Sequence, residues 1–220
     1  MTTPRQFDLL VFDWDGTLFD STRLIASCIQ AACADIGAAV PSDRDASYVI
    51  GLGLADALRH AAPDVPSERY RELAERYRHH YTTREDEIVL FDGTLEMVRA
   101  LKARNHWLGV ATGKTRRGLE AALETSPLRG LFDATRTADE TRSKPDPMML
   151  HELMHELGTV PSRTLMVGDT THDLQLAANA GCASVAVSFG AHGHDEFASH
   201  SPLHVAHSTA GLAAWLAEHG

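Results

Sequence analysis

The sequence predicts an α/β fold: a Rossmann-like parallel sheet with helices on both faces and an inserted all-helical cap. Short apolar runs typical of buried strands alternate with segments of helical period from about residue 92 onward. A first apolar run, Leu9–Phe12, is followed by a long stretch of helical pattern without a strand signal. An insertion explains this order best, so we expect a core from residues 1–18 and 89–220 and a cap from residues 19–88.

The inserted stretch contains three predicted helices. The first follows Asp20 or Ser21, either of which can cap it, and ends near Gly37. A turn or break containing Gly51 and Gly53 precedes a short second helix. The third begins near residue 67 and places its large side chains on one stripe, formed by Tyr70, Leu73, Tyr77 and Tyr81.

The second part of the core alternates between helices and strands, which indicates a parallel sheet. Its predicted strands cover residues 107–111, 132–135, 165–167 and 184–187. Its predicted helices are one capped by Asp92, one around residues 119–123, and those over residues 147–157, 173–180 and about 209–218.

Composition limits the classes of partner. The formal net charge of -10 over 220 residues argues against nucleic acid, and no apolar stretch is long enough to span a bilayer. Residues 1–6 lack the apolar segment of a signal peptide. Three cysteines without metal-site spacing favour a reducing compartment. We therefore expect a cytoplasmic protein, monomer or homodimer, that binds neither membrane nor nucleic acid.

The stretch Asp13-Trp14-Asp15-Gly16-Thr17 carries the strongest functional signal in the chain. Its two carboxylates lie where a buried strand ends, which is where open α/β sheets keep their ligand sites. Gly16 permits a tight turn beside the reacting centre, and Thr17 is expected to hydrogen-bond back to that turn.

Three further strand ends or loops carry polar groups suited to phosphate chemistry. Thr112-Gly113-Lys114 offers a hydroxyl and backbone N–H groups at the start of a helix, although a threonine helix cap with a surface lysine is an alternative. Only three lysines stand against seventeen arginines, and two of the three, Lys114 and Lys144, fall in these short loops. Asp169 and Asp173 open another helix four residues apart, and Asp173 could alternatively be a plain first-turn carboxylate.

Together these loops resemble, in order, the four motifs of the haloacid-dehalogenase-like superfamily, over residues 7 to about 187. The inserted helices look like the α-helical cap of its phosphoglycolate-phosphatase-like members. The resemblance implies a Mg²⁺-dependent phosphatase that hydrolyses small organic phosphate monoesters through an aspartyl-phosphate. Such an enzyme aligns the phosphoryl group and neutralises its charge, and a carboxylate nucleophile divides the displacement into two steps.

The resemblance also implies roles for individual residues. Asp13 would be the nucleophile and Asp15 the general acid/base, with Lys144 assisting catalysis. Thr112, Gly113 and Lys144 would form the phosphate-binding set. The metal ligands would be Asp13, the backbone carbonyl of Asp15, and Asp169, with Asp173 bound directly or through water. Two residues depart from the usual pattern of the family's motifs. We expect Trp14 to narrow the entrance to the site, and we expect Gly113 to remove one contact with the substrate.

Several alternatives share this fold. A dehalogenase would use no metal and would not need Asp15, and a phosphonatase would need a lysine between residues 19 and 88, where there is none. A nucleoside monophosphate phosphatase remains open. A sugar-phosphate mutase would need cap cations, yet residues 47–55 carry no charge. The candidate cations are Arg59 and the run Arg69, Arg71, Arg76 and Arg78, which we interpret as a solvated helix face paired with Glu68, Glu72 and Glu75. A non-catalytic binding module is the alternative from another class.

Two expectations concern regions outside the motifs. The C-terminal histidines, among them His192 and His194, are expected to lie in a polar surface loop rather than at a metal, with a substrate or cap contact as a further option. The cap is expected to move as a unit about hinges near residues 18–20 and 88–91.

Overall fold

The computed structural model describes residues 6–220, so the expectations about residues 1–5 lie outside it. The strands are β1 Leu9–Phe12, β2 Phe19–Asp20, β3 Val89–Leu90, β4 Trp107–Thr112, β5 Ala134–Thr137, β6 Thr164–Gly168, β7 Ala183–Val187 and β8 His204–Ala206. The helices are α1 Thr22–Asp35, α2 Asp43–Tyr48, α3 Leu54–Ala61, α4 Tyr70–Thr82, α5 Thr94–Ala103, α6 Arg116–Thr125, α7 Met148–Leu157, α8 Thr171–Asn179, α9 His194–Phe197 and α10 Thr209–His219.

Six strands of the described chain form one parallel sheet in the order β5-β4-β1-β6-β7-β8. Strand β1 is central, pairing with β4 through Leu9↔Trp107 and with β6 through Leu9↔Thr164. Because the strands are parallel, their carboxyl ends lie at one edge. The loops after β1, β4, β5 and β6 therefore meet there, and these are the loops that carry the predicted motifs.

Alternate side chains of the strands pack against helices on opposite faces of the sheet. Leu10 and Phe12 belong to a core shared with α5, α6 and α10, whereas Leu9 and Val11 pack in a second core with α7 and α8. All four side chains are fully buried. This two-sided burial explains why β1 reads as a continuous apolar run, and it confirms the predicted α/β architecture.

Helices α1 to α4 bury a separate apolar cluster, with Ile29, Leu58 and Leu73 among its members. The chain passes from sheet to helices and back through two short strands, β2 and β3, which pair antiparallel as Phe19↔Leu90 and Asp20↔Val89. The expectation that residues 19–88 contain no strand is therefore wrong at residues 19 and 20. Two-residue strands leave no periodic signal, because pairing of the two crossings alone defines them.

Other boundaries also differ from expectation. Helix α5 is capped by Gly93 and not by Asp92, and α8 begins at Thr171, two residues before Asp173, because Thr170 caps it. Strand β5 lies two residues later than predicted. The edge strand β8 was not predicted, since a three-residue strand with histidine and alanine lacks a clear apolar pattern.

Among residues 6–220, no helix is long and apolar enough to cross a membrane. The three cysteines Cys28, Cys33 and Cys182 are buried and unbridged.

Candidate active site

The carboxylate of Asp13 lies at the centre of the site, just beyond the carboxyl end of β1. Its backbone N–H donates to Val167 of β6 at 2.9 Å, which continues the sheet pairing and fixes the residue. The side chain is buried, and one of its oxygens, Oδ1, lies 2.8 Å from Nζ of Lys144. The other, Oδ2, accepts no hydrogen bond from the described residues. Burying a carboxylate oxygen without a partner costs free energy, so Oδ2 is suited to contact a bound ligand.

Lys144 bridges two carboxylates. Its fully buried Nζ lies 2.7 Å from Oδ1 of Asp173 as well as 2.8 Å from Asp13. Burial by itself would lower the pKa of Lys144, but the two carboxylates outweigh burial and raise that pKa above its usual value. Lys144 therefore stays cationic beside Asp13.

Asp173 combines the two interpretations suggested by the sequence. Its Oδ2 accepts from the backbone N–H of Thr170 at 3.1 Å, and its own backbone N–H donates to the Thr170 hydroxyl at 3.4 Å, which together form a capping box for α8. The Thr170 hydroxyl also donates to Oδ2 at 2.7 Å. Its Oδ1 meanwhile holds Lys144. Asp173 is thus a helix-capping carboxylate that also faces the site.

Asp169, after β6, is held by the turn that follows Asp13. The hydroxyl of Thr17 donates to its Oδ1 at 2.8 Å, and the backbone N–H of Ala191 donates to its Oδ2 at 2.7 Å. The expectation that Thr17 bonds back to its own turn is therefore wrong. Gly16 has φ of 81°, and a Cβ there would overlap the Asp169 carboxylate, so only glycine lets the two loops approach.

The carboxylates of Asp13, Asp169 and Asp173 place one oxygen each within 4.8 Å of the others. Burial first, and then the neighbouring Asp173, raises the pKa of Asp169 to about 7, and burial also raises the pKa of Asp13. Repulsion among these groups, together with the unpartnered oxygen of Asp13, suits a hard divalent cation that takes oxygen ligands. The residues present therefore fit the predicted metal.

The carboxylate of Asp15 lies outside that group and faces the cap. Its Oδ1 accepts from the Ser21 hydroxyl at 2.8 Å, and its Oδ2 lies 3.1 Å from Nζ of Lys114. Lys114 in turn donates to the hydroxyl of Tyr81 on α4 at 2.7 Å. Sequence reasoning noted Lys114 for its rarity and Tyr81 for its helix stripe, yet assigned neither of them a partner. Their contact depends on how α4 lies over the core.

A loop of the cap covers the site. This cap loop, residues 49–53, lies against the turn after β4, where a Cβ on Gly113 would lie 2.7 Å from the carbonyl oxygen of Gly51 and would overlap that of Leu52. The Ser143 hydroxyl accepts from the backbone N–H of Gly53 at 2.8 Å. Gly113 therefore serves close backbone packing between cap and core, a role that the sequence did not suggest.

Thr112 lies beside this turn and is buried, with its Oγ1 accepting from the backbone N–H of Lys114 at 3.2 Å. Its hydroxyl hydrogen can still be donated to a phosphate. Trp14 is buried in the core and stacks on Phe19 with ring centroids 4.6 Å apart. The expectation that Trp14 narrows the entrance is therefore wrong.

The histidines divide into two kinds. His192 is 2 % exposed and contacts Tyr48 at the end of α2, so it is not part of a polar surface loop, and the cap contact considered for it is confirmed. His194 is exposed and lies next to His207. In residues 6–220 no three-residue metal group includes a histidine.

Two of the four arginines in the run pair with glutamates as predicted. Arg69 binds Glu72 and Arg71 binds Glu75, both at exposed positions. These contacts favour a solvated helix face over a site for a second phosphate.

A parallel sheet whose strand ends gather buried carboxylates and a lysine, next to the helices of residues 22–82, defines an α/β enzyme with an acidic, metal-compatible centre. A family model described as "Haloacid dehalogenase-like hydrolase" matches residues 10–187. The chain therefore belongs to the haloacid dehalogenase-like hydrolases.

Similar proteins agree with this membership. The chain is 34% identical over 200 residues to "Probable phosphatase IndB" of Dickeya dadantii, covering 88% of this chain and 86% of that protein. It is 29% identical over 205 residues to "Pyrophosphatase PpaX" of Halalkalibacterium halodurans, covering 92% and 94%. A crystal structure described as a predicted phosphoglycolate phosphatase from Haemophilus somnus superposes with a TM-score of 0.85 at 26% identity, covering 96% and 98%. The predicted class, a phosphatase of this superfamily, is confirmed by these relatives.

Proposed function

We propose that the chain is a Mg²⁺-dependent phosphatase that hydrolyses small organic phosphate monoesters through an aspartyl-phosphate on Asp13. One observation carries this proposal: Asp13 is a buried carboxylate with an unpartnered oxygen, fixed at a strand end and flanked by a cation. Its Oδ2 has no hydrogen-bond partner among the described residues, so this oxygen is available to a phosphorus atom or to a metal.

In the proposed reaction Asp13 supplies the nucleophile and Asp15 transfers the protons. The Asp13 carboxylate attacks phosphorus, and the bond from phosphorus to the leaving alkoxide breaks while Asp15 donates a proton to that oxygen. Asp15 then removes a proton from a water molecule that attacks the phosphorus. The bond to Asp13 breaks, releasing inorganic phosphate and restoring the carboxylate.

Lys144 and Thr112 would hold the phosphoryl oxygens during both steps. Nζ of Lys144 lies 2.8 Å from Asp13, and Thr112 is buried at the end of β4, the strand beside β1. Asp13, Asp169 and the backbone carbonyl of Asp15 would hold the metal, with Asp173 completing the acidic set. When bound, Mg²⁺ supplies charge neutralisation for the phosphoryl group. A cytoplasmic location and a monomeric or dimeric state remain predictions.

The experiment is phosphate release in buffer first depleted of metal by a chelator and then supplied with Mg²⁺, with phosphoglycolate, a nucleoside monophosphate and a chromogenic aryl phosphate as substrates. We expect no turnover without metal and recovery on adding Mg²⁺, because the clustered carboxylates repel phosphate when uncompensated. Full activity in exhaustively demetallated buffer would contradict the proposal.

Inorganic pyrophosphate is a second candidate substrate, favoured by the PpaX relatives at about 30% identity, which are named pyrophosphatases. The backbone of the cap loop lies close to Asp13, since a Cβ on Gly51 would be 3.8 Å from its Oδ2. The small space that remains suits a leaving group as small as phosphate. Including pyrophosphate in the same assay decides between the two, since a higher kcat/KM for pyrophosphate than for every monoester would favour this candidate.

A further inference from the structure

One backbone carbonyl of the cap receives two hydrogen bonds from the core. The oxygen of Tyr48 lies 2.8 Å from Nε2 of His172 and 2.9 Å from Nε2 of His192. Tyr48 is the last residue of α2, where a helix leaves its final carbonyls without intrahelical partners. The neighbouring carbonyls of Ser47 and Val49 are used by Ile50 and Leu52 N–H groups in the following turns. The Tyr48 carbonyl depends on the two imidazoles.

The tautomer of His192 follows from its other ring nitrogen. Nδ1 lies 3.0 Å from the backbone N–H of Thr171, which can only donate, so Nδ1 is the acceptor and Nε2 carries the proton. Thr171 is the first residue of α8, where N–H groups also lack intrahelical partners. One buried imidazole therefore joins the amino end of the α8 helix in the core to the carboxyl end of α2 in the cap.

His172 contacts the same carbonyl from α8 itself and is also buried. A carbonyl only accepts, so Nε2 of His172 is protonated as well. The rings add surface contact: His192 stacks on Tyr48 at 5.1 Å and 6°, and His172 meets the same ring edge-on at 5.3 Å. Ring packing and hydrogen bonding from the two histidines thus both fix Tyr48.

The cap loop begins at the next residue. A Cβ on Gly51 would lie 3.2 Å from Oγ1 of Thr170 and 3.8 Å from Oδ2 of Asp13, so this loop is in van der Waals range of the nucleophile. The anchored carbonyl of Tyr48 is therefore only three residues from the point where the loop approaches Asp13.

We propose that His172 and His192 are positioning residues that hold the cap loop over Asp13 and thereby set the largest leaving group the site accepts. The inference rests on the proposed phosphatase function for its kinetic consequence. Its structural consequence, loss of protection of the cap loop, does not depend on activity.

The structural test is amide hydrogen exchange of residues 49–53 in the full-length protein, for wild type, His172→Phe and His192→Phe. Phenylalanine keeps the ring but removes the donor. We expect about threefold to tenfold faster exchange in each variant, since one hydrogen bond of ordinary strength is lost. Unchanged exchange in both variants would overturn the proposal, whatever the protein's activity.

The kinetic test compares kcat/KM for phosphoglycolate with that for a chromogenic aryl phosphate. We expect the phenylalanine variants to shift this ratio toward the bulkier ester by about threefold to tenfold, with most of the change in KM for phosphoglycolate. An unchanged ratio in variants with faster loop exchange would overturn the size-limit part. If wild type hydrolyses neither ester, the proposed function fails while the exchange result still decides the positioning role.

Two matched variants separate the hydrogen bond from other effects. His172→Gln keeps an N–H donor at a similar reach and should restore near wild-type exchange and ratio. Tyr48→Phe keeps both the carbonyl and the ring and should change neither. If His172→Gln behaves like His172→Phe, the hydrogen bond is not the cause and the proposal is wrong.

Discussion

At the scale of single residues, the site balances four carboxylates with two lysines. Lys144 lies between Asp13 and Asp173, and Lys114 lies beside Asp15, so each cation neutralises a different part of the centre. Among residues 6–220, Asp169 accepts hydrogen bonds from neutral donors only, Thr17 and Ala191. A further positive charge is therefore expected near Asp169, and the metal would provide it.

Asp13→Asn tests the nucleophile. The amide is nearly isosteric but uncharged and a poor nucleophile, so we expect turnover below roughly a few per cent of wild type with the fold intact. Phosphate release and circular dichroism measure the two properties. Asp56→Asn, an exposed change on the cap, is the control and should leave activity unchanged. Substantial turnover by a homogeneous Asp13→Asn protein would exclude the assigned role.

Asp169→Asn tests the raised pKa. The pKa of Asp169 in the folded, metal-free protein is about 7, above the ordinary value, so the group favours folding at low pH and this stability is lost as pH rises through 7. The amide cannot ionise. In chelator we expect the Tm of Asp169→Asn minus that of wild type to increase by roughly 3 °C or more between pH 5 and 8.

Asp64→Asn, at an exposed carboxylate that pairs with no described histidine, is the matched control and should show a difference that does not vary with pH. In saturating Mg²⁺ the Tm of Asp169→Asn minus that of wild type should instead decrease between pH 5 and 8. The reason is that the metal stabilises the wild type more than the variant. A pH-independent Tm difference in chelator would contradict the assigned pKa.

At the scale of secondary-structure elements, the turn after β4 and the cap loop approach through backbone atoms. Gly113 has no side chain, and the carbonyls of Gly51 and Leu52 occupy the space that a Cβ would need. Backbone cannot move aside as a flexible side chain can, so any larger residue at position 113 must displace the loop.

Gly113→Ala should therefore hold the cap loop away from the core. We expect at least about tenfold lower kcat/KM for small monoesters, because the loop no longer closes over Asp13, with little change in the stability of the core. Gly118→Ala, the same change within α6 five residues later, meets only the Thr115 hydroxyl at 3.3 Å and should leave activity unchanged. Equal activities of the two variants would show that loop closure is not needed.

At the scale of the whole molecule, the helices of residues 22–82 and the sheet bury separate apolar clusters and connect through the paired strands β2 and β3. The pairing places both chain crossings side by side, close to the predicted hinges. Division into a core of residues 1–18 and 89–220 and a cap of residues 19–88 stays a prediction, and the separate clusters support it.

A cap that moves over the core about the predicted hinges should select substrates by size. We expect phosphoglycolate and similarly small esters to have at least about tenfold higher kcat/KM than a phosphopeptide, because the closed cap loop excludes a long leaving group and bulk water. Parallel kinetics on a small ester, a nucleoside monophosphate and a phosphopeptide measure this. A preference for the phosphopeptide would be incompatible with closure.

The sequence by itself determined the sheet, its two-sided burial and the strand ends that carry Asp13, Thr112 and Asp169. These features follow from local signals, since apolar runs and helical periods record burial, and parallel strands bring their carboxyl ends to one edge. The short strands β2 and β8 were not predicted, because they contain too few residues to show the apolar alternation of a strand. The assigned roles of Asp13, Asp15 and Lys144 remain predictions that this geometry supports.

Only the tertiary structure decided the contacts between residues far apart in the chain. Thr17 reaches Asp169 across 152 positions, Tyr81 meets Lys114, Gly113 meets the cap loop, and two histidines share the carbonyl of Tyr48. None of these pairs leaves a periodic or local signal, because each depends on how the helical cap docks on the sheet. The physical reason is that docking is set by packing of whole surfaces, which no short stretch of sequence encodes.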